Sequence, residues 1–141
     1  ADAGIPECDL AVCFGFMHHV PGFDMRASVL DAIVERTTLG GVAIISFWQF
    51  MRDERLARKA LAADSAARES AQSGTFPLDE NDHLLGWQSD PSPLRYCHHF
   101  DESEIDELVA SVGTRAREVA RYSADGGSGT LNRYLMLERV A

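Results

Sequence analysis

The sequence predicts one α/β domain whose mostly parallel sheet ends in an antiparallel hairpin. Three observations carry this expectation. Residues 9–14 and 42–48 are continuous apolar runs separated by a helical stretch with short connections, and strand, helix, strand so joined implies parallel pairing. A long polar excursion then leads into a capped helix beginning at Asp101. Two strand-like runs near the C-terminus flank Gly126-Gly127-Ser128-Gly129, a turn that pairs its neighbours antiparallel.

The bulk numbers suit this picture. The chain has 141 residues, 45% hydrophobic and 25% charged, which fits a single globular domain with a modest core. Its net charge of −9 counts against a broad nucleic-acid-binding surface, because phosphate binding draws on clustered Lys and Arg. Cys8, Cys13 and Cys97 are odd in number and form no CxxC pair. They read as reduced, buried thiols of a cytoplasmic protein. No basic-then-apolar leader and no apolar run near the roughly 18 residues of a span is present, so neither a signal peptide nor a membrane helix is expected.

Taken in order, residues 1–8 form a Gly- and Pro-marked lead-in. The strand at 9–14 has little alternation, the pattern of a strand covered on both faces. Gly15 and then Pro21-Gly22 break the run and deliver Phe16, Met17, His18 and His19 to a loop. Ligands of open α/β sheets bind just past the carboxyl ends of strands. A helix is expected over 24–38, with Asp24 as N-cap and Gly40-Gly41 as its end. Residues 51–72 mix charges with many alanines and favour helix. That helix reads either as a solvated surface element or as a lid. Residues 73–94 form an irregular excursion with a short strand at 84–87, so 51–94 is an insertion or lid region within the 1–141 domain. Arg95–Phe100 is extended. Asp101 with Glu104 forms a capping box, and Gly113 stops the helix it starts. Strands follow at 115–123 and 131–140.

Three segments, in this order, resemble the class I S-adenosylmethionine-dependent methyltransferases. Asp2-Ala3-Gly4-Ile5-Pro6 is similar to the D-A-x-x-L-P segment of that family. Asp9–Val12 through Met17-His18-His19-Val20 resembles its fourth strand and L-H-H-L-type end, and Leu39-Gly40-Gly41-Val42 its L-x-P-G-G turn, without the Pro. The resemblance implies a Rossmann-like half-sheet of strands four to seven, the last antiparallel and inserted between the fifth and sixth. It also implies that this chain is the C-terminal half of a methyltransferase domain, because no glycine-rich loop follows a strand here. Leu94-Arg95-Tyr96-Cys97-His98-His99-Phe100 with Glu104–Leu108 is further similar to a segment of the tRNA wobble-uridine carboxymethyl methyltransferases, Cys97 standing for their second Tyr.

The cofactor that this implies is S-adenosylmethionine. Asp2 and Ala3 would contact its adenine, and Phe14, Gly15, Phe16 and Met17 would line its site; for Phe16 and Met17 the alternative is plain core. His18 and His19 read as acceptor-side bases or as loop histidines satisfying backbone groups. Arg95, Tyr96, His98, Arg133 and Tyr134 are candidates for the acceptor side, Arg95 through a bidentate fork to a carboxylate; the alternative is surface pairing and packing. No metal site is expected, because no convergent ligand set is visible. The acceptor is either tRNA wobble uridine or a small molecule such as an acid. Competing readings are a non-catalytic methyltransferase-like binding subunit and a piece of another Rossmann-like enzyme. Strand 9–15 should have an open edge, inviting the missing N-terminal half or a second copy.

Overall fold

The computed structural model describes residues 4–69, 78–87 and 90–141. The elements are β1 (Cys8–Cys13), α1 (Phe23–Glu35), β2 (Thr37–Trp48), α2 (Glu54–Glu69), β3 (Asp82–Trp87), β4 (Asp90–His98), α3 (Glu102–Val112), β5 (Ala116–Ala124) and β6 (Asn132–Arg139). Short 3-10 turns lie at Met17–His19, Phe50–Arg52 and Gly113–Arg115.

The main sheet has the order β1-β2-β6-β5. β1 and β2 pair in parallel. β6, last in sequence, lies between β2 and β5 and is antiparallel to both. The parallel pair and the closing hairpin agree with the sequence pattern. Strands β3 and β4 form a separate antiparallel hairpin, with Asp82 opposite His98 and Leu85 opposite Arg95. The stretch expected to be irregular therefore carries two strands.

One face of the main sheet is closed. Ala43, Ile45 and Phe47 of β2, with Leu135 and Leu137 of β6, pack against Leu30 and Val34 of α1 and Ile105, Leu108 and Val112 of α3. Alternation along the strands puts these residues on one side. A second cluster of Phe50, Ala60, Leu85 and Cys97 joins α2 to the hairpin. Asp64 pins the same contact, its Oδ1 accepting from Leu84 N at 2.9 Å and its Oδ2 lying 2.8 Å from His83 Nδ1. α2 is thus docked on β3 along one face and exposed along the other.

The opposite face is bare at β1. Leu10 and Val12 of β1 are 57% and 55% exposed, and Phe14 just beyond is 53% exposed. They continue in register onto Val42, Ile44 and Ser46, then Met136 and Tyr134. The expectation that the first strand is covered on both faces is corrected: among the described residues no helix packs over its outward side chains. Its place at the edge of this sheet agrees with the open edge that the resemblance implied. A run without alternation reports the apolar character of both faces, not what covers them.

Local boundaries shift for physical reasons. α1 starts after Gly22, its N-cap, and Asp24 sits in the first turn. It ends at Glu35, and Gly40-Gly41 lies inside β2, where the β1 register slips between Cys8 and Leu10. Gly40 has φ +79, and a Cβ at Gly41 would stand 2.8 Å from Thr38 Oγ1 and 2.9 Å from the Asp9 carbonyl oxygen. The glycine pair therefore serves a bulge within the strand. At α3 the cap is as expected, Asp101 Oδ1 accepting from Glu104 N at 2.8 Å, and Gly113 closes the helix with φ +59. The Glu104 side chain does not turn back to the cap; it serves the buried cluster described below. No helix among the described residues is long and apolar enough to cross a membrane.

Candidate functional site

A cavity of about 490 Å³ opens at the carboxyl ends of β1 and β2, where β6 begins. Phe14, Gly15, His18 and His19 come from the β1 end and the turn after it, Ser46 and Trp48 from β2, Asn132 and Tyr134 from β6, and Arg95 from β4. Gly15 turns the chain there with φ +64, and nothing lies within 4 Å of where its Cβ would be. Its N–H donates to Ser46 Oγ at 3.1 Å. Phe14 meets Tyr134 edge to face at 5.6 Å, and Tyr134 stacks on Tyr122 at 5.1 Å. The Tyr134 hydroxyl donates to Asp125 Oδ2 at 2.5 Å, and this bond pushes its pKa up to about 12. Tyr134 is a neutral, fixed ring.

His18 packs against His19 at 4.1 Å and against Trp48 at 4.7 Å. Burial holds its pKa down to about 3, with the neighbouring His19 and Arg95 adding to the effect. His18 is therefore neutral at neutral pH. His19 Nδ1 lies 3.2 Å from the Tyr96 carbonyl oxygen. Arg95 lies over the Trp48 ring at 5.8 Å. It also borders a second cavity of about 450 Å³ between α2 and the hairpin, lined by Trp48, Arg55, Leu56, Lys59, Leu85 and Gly86.

The remaining acceptor-side candidates lie elsewhere. Tyr96 and His98 belong to a buried cluster linking α1, the hairpin and α3. His98 is 1% exposed. Its Nδ1 lies 2.6 Å from Asp82 Oδ1 and its Nε2 2.5 Å from Glu104 Oε2. A neutral imidazole donates from one nitrogen only, so two carboxylate partners call for the protonated ring. Burial pushes the His98 pKa down, but the bonds to Asp82 and Glu104 outweigh it and the net shift is upward. For Asp82 burial raises the pKa, while bonds from His98 and Tyr96 lower it by more, leaving it below its ordinary value. The Tyr96 hydroxyl donates to Asp82 Oδ1 at 2.5 Å, and Arg26 Nε donates to Glu104 Oε1 at 2.8 Å. Arg133 points to the closed face, where its Nε donates to Glu102 Oε1 at 2.8 Å.

Of the residues singled out from sequence, Phe14, Gly15, His18, His19, Arg95 and Tyr134 come together at one cavity. Met17 is fully buried in the main core, and Phe16 is half exposed outside the cavity lining. Asp2 and Ala3 lie outside the described residues. Sequence reasoning missed Ser46, Trp48 and Asn132 as cavity residues. The β2–β6 register, Ser46 opposite Tyr134 and Trp48 opposite Asn132, brings them there, and only alternation counted back from the strand ends hinted at it. Among the described residues no group of three His, Cys, Asp or Glu is arranged to hold a metal ion.

No family model and no curated protein matches the sequence. Solved structures do. An S-adenosylmethionine-dependent methyltransferase from Methanosarcina mazei aligns over 94% of this chain and 59% of its own, at 15% identity and TM-score 0.64. One from Clostridium acetobutylicum aligns over 96% and 60%, at 8% identity and TM-score 0.61. CalS10, an amino pentose methyltransferase from Micromonospora echinaspora solved with S-adenosylmethionine bound, aligns over 99% and 61%, at 13% identity and TM-score 0.53. The chain thus spans about three fifths of the length of the structures it matches. At these identities the likeness is one of fold: the chain has an α/β fold resembling that of the class I S-adenosylmethionine-dependent methyltransferases.

Proposed function

We propose that this chain is the C-terminal part of a class I S-adenosylmethionine-dependent methyltransferase, and that the cavity between Phe14 and Tyr134 receives the methyl donor. One observation carries the reading. The cavity lies past the carboxyl ends of two parallel strands, in a sheet with an antiparallel last strand set between β2 and β5, and open α/β sheets bind ligands at that end. In the family's numbering β1, β2, β5 and β6 then stand as strands four to seven. The residues suit the donor. Gly15 leaves open space for close approach of backbone to a ligand, and Phe14 and Tyr134 offer ring surface. Asp2 and Ala3 keep the adenine contacts implied by the resemblance.

S-adenosylmethionine, when bound, supplies an activated methyl group. The protein's share is to hold the acceptor in line and keep water out. With a pKa of about 3, His18 is too weak a base at neutral pH to drive proton removal. It serves as a neutral wall of the site. Of the two acceptors that the resemblance admits, tRNA wobble uridine and a small acid, the net charge of −9 counts against the polyanionic tRNA and leaves the small acid. The open edge of β1 and the bare apolar face are then the places where the missing N-terminal half, with its glycine-rich loop, or a second copy, joins. The three cysteines are free, though only Cys97 is buried and Cys8 is exposed; free thiols suit a cytoplasmic setting.

Titration calorimetry with S-adenosylmethionine tests this on the 141-residue chain and on the chain extended by its upstream coding sequence. The extended protein is expected to bind with micromolar affinity, about −8 kcal/mol, and the 141-residue chain far more weakly. No binding by the extended protein overturns the methyltransferase reading. Micromolar binding by the shorter chain overturns the half-site reading.

A further inference from the structure

We infer that Asp125, which lies outside the lining of the cavity at the carboxyl ends of β1 and β2, is the positioning residue for its β6 wall: one carboxylate oxygen holds Tyr134 and Asn132 together. The inference rests on the methyltransferase reading for the identity of the ligand alone. Asn132 and Tyr134 are two residues apart on β6, so they stand on one face. They lie opposite Trp48 and Ser46 of β2, and all of these residues line the cavity. The Tyr134 hydroxyl donates to Asp125 Oδ2 at 2.5 Å, and Asn132 Nδ2 donates to the same atom at 2.9 Å. A carboxylate only accepts, so the Asn132 amide must turn its nitrogen to Asp125. The same oxygen thus sets the direction of the amide and the place of the phenol.

The loop that carries Asp125 is itself held. Asp125 has φ +69 and Gly126 has φ +71. Leu131 N donates to the Asp125 carbonyl oxygen at 3.1 Å, and Gly129 N to that of Gly126 at 3.3 Å. A Cβ at Gly126 would stand 2.9 Å from Leu131 Cβ. The Leu131 carbonyl oxygen in turn accepts from Gln49 N at 2.8 Å, which ties the loop to the end of β2. The left-handed backbone at Asp125 suits Gly, Asn or Asp, and Gly adopts it at least cost. What Asp alone adds is a charged acceptor, and bonds to a charged partner are roughly twice as strong as neutral ones.

Tyr134 is then held at its face, its edge and its tip. Tyr122, its partner across the β5–β6 pair, stacks on it at 5.1 Å with 8° between the planes, Phe14 meets it edge to face at 5.6 Å, and Asp125 takes its hydroxyl. The bond pushes the Tyr134 pKa up to about 12, and the bonds from Tyr134 and Asn132 hold the Asp125 carboxyl below its ordinary range. Carboxylate and neutral phenol therefore stand together through neutral pH. Without Asp125 the phenol and the amide are free to turn, and a ligand entering between Phe14 and Tyr134 must order both as it binds. Such an ordering cost weakens binding without removing any contact to the ligand.

Two measurements test the role. The first uses the 141-residue chain with 13C-labelled tyrosine, the ring signals assigned with Tyr134→Phe and followed by NMR as pH rises. In Asp125→Gly, a change that backbone at φ +69 accommodates, the Tyr134 phenol is expected to titrate near its ordinary value of about 10 instead of about 12. The second is titration calorimetry of the extended protein with S-adenosylmethionine. Asp125→Gly is expected to bind about tenfold more weakly. Asp125→Asn keeps a side-chain oxygen on the same backbone and is expected to recover to within about threefold of the wild type. An unchanged Tyr134 titration in Asp125→Gly, equal donor affinity in Asp125→Gly and wild type, or no recovery in Asp125→Asn overturns the positioning role. An extended wild-type protein that binds no S-adenosylmethionine overturns the methyltransferase reading, and the Tyr134 titration still decides whether Asp125 holds the wall.

Discussion

His98 Nδ1 lies 2.6 Å from Asp82 Oδ1 across the terminal pair of the β3–β4 hairpin. Because His98 also reaches Glu104, and Glu104 reaches Arg26, the pair ties the hairpin to α3 and α1. The hairpin borders the cavity beneath α2 through Leu85, Gly86 and Arg95. The buried cluster thus holds one wall of a cavity that none of its charges lines.

Removing one member leaves buried charge without its partner, which costs about 3 kcal/mol or more. His98→Ala is expected to lower the unfolding free energy by about that amount in urea denaturation. A loss below about 1 kcal/mol would show that the cluster contributes little net stability.

Stability should depend on pH as a dome. His98 has a raised pKa in the fold. Its contribution is full below the unfolded value of about 6.5 and is lost as pH rises through the folded value. Burial depresses His18 to about 3 and His99 to about 4. For these bases stability is full above the unfolded value and is lost as pH falls through the folded ones. Asp82, held low, withdraws its share only as pH falls below its ordinary range. The Tm maximum is expected near pH 6.5, with the alkaline limb flattened in His98→Gln and the acid limb in His18→Gln. A wild-type Tm that keeps rising from about pH 6.5 to about pH 9 would contradict the charge assignment of His98.

The bare face should make the isolated chain associate. Leu10 and Val12 on the β1 edge strand form part of an apolar sheet surface that extends onto Ile44 and Met136, and exposed edges and patches of this kind recruit partners. Sedimentation velocity should show concentration-dependent association that Leu10→Lys/Val12→Lys abolishes. A wild-type monomer at all concentrations would count against the open-edge reading.

Gly41→Ala places a Cβ 2.9 Å from the Asp9 carbonyl oxygen and 2.8 Å from Thr38 Oγ1. Backbone cannot yield there without disturbing β1–β2 pairing, so a loss of about 1–3 kcal/mol is expected in thermal unfolding. Gly127→Ala, with nothing within 4 Å, is the control and should change stability by less than about 0.5 kcal/mol.

Local pattern in the chain was enough for the helices and for the strands of the main sheet, but not for the β3–β4 hairpin. Period, caps and turn chemistry act between near neighbours, so the apolar runs of β1 and β2, the Asp101 cap, Gly113 and the closing hairpin were legible from the residues alone. So was the gathering of Phe14, Gly15, His18 and His19, because a strand followed by a glycine puts its next residues at one sheet end. Long-range packing settled what local pattern cannot carry. It left the outward face of β1 bare, since an apolar run does not say which neighbour covers it. It moved Gly40-Gly41 from a helix end into a strand, because the space that excludes a Cβ belongs to Asp9, far off in sequence. It divided Arg95 from Tyr96 and His98. Side chains alternate along a strand, and β4 turns Arg95 toward Trp48 and the cavities while Tyr96 and His98 meet Asp82. The cavity lined by Arg55, Lys59 and Arg95 exists only because α2 docks on the hairpin, a contact made by residues with no periodic signal in common.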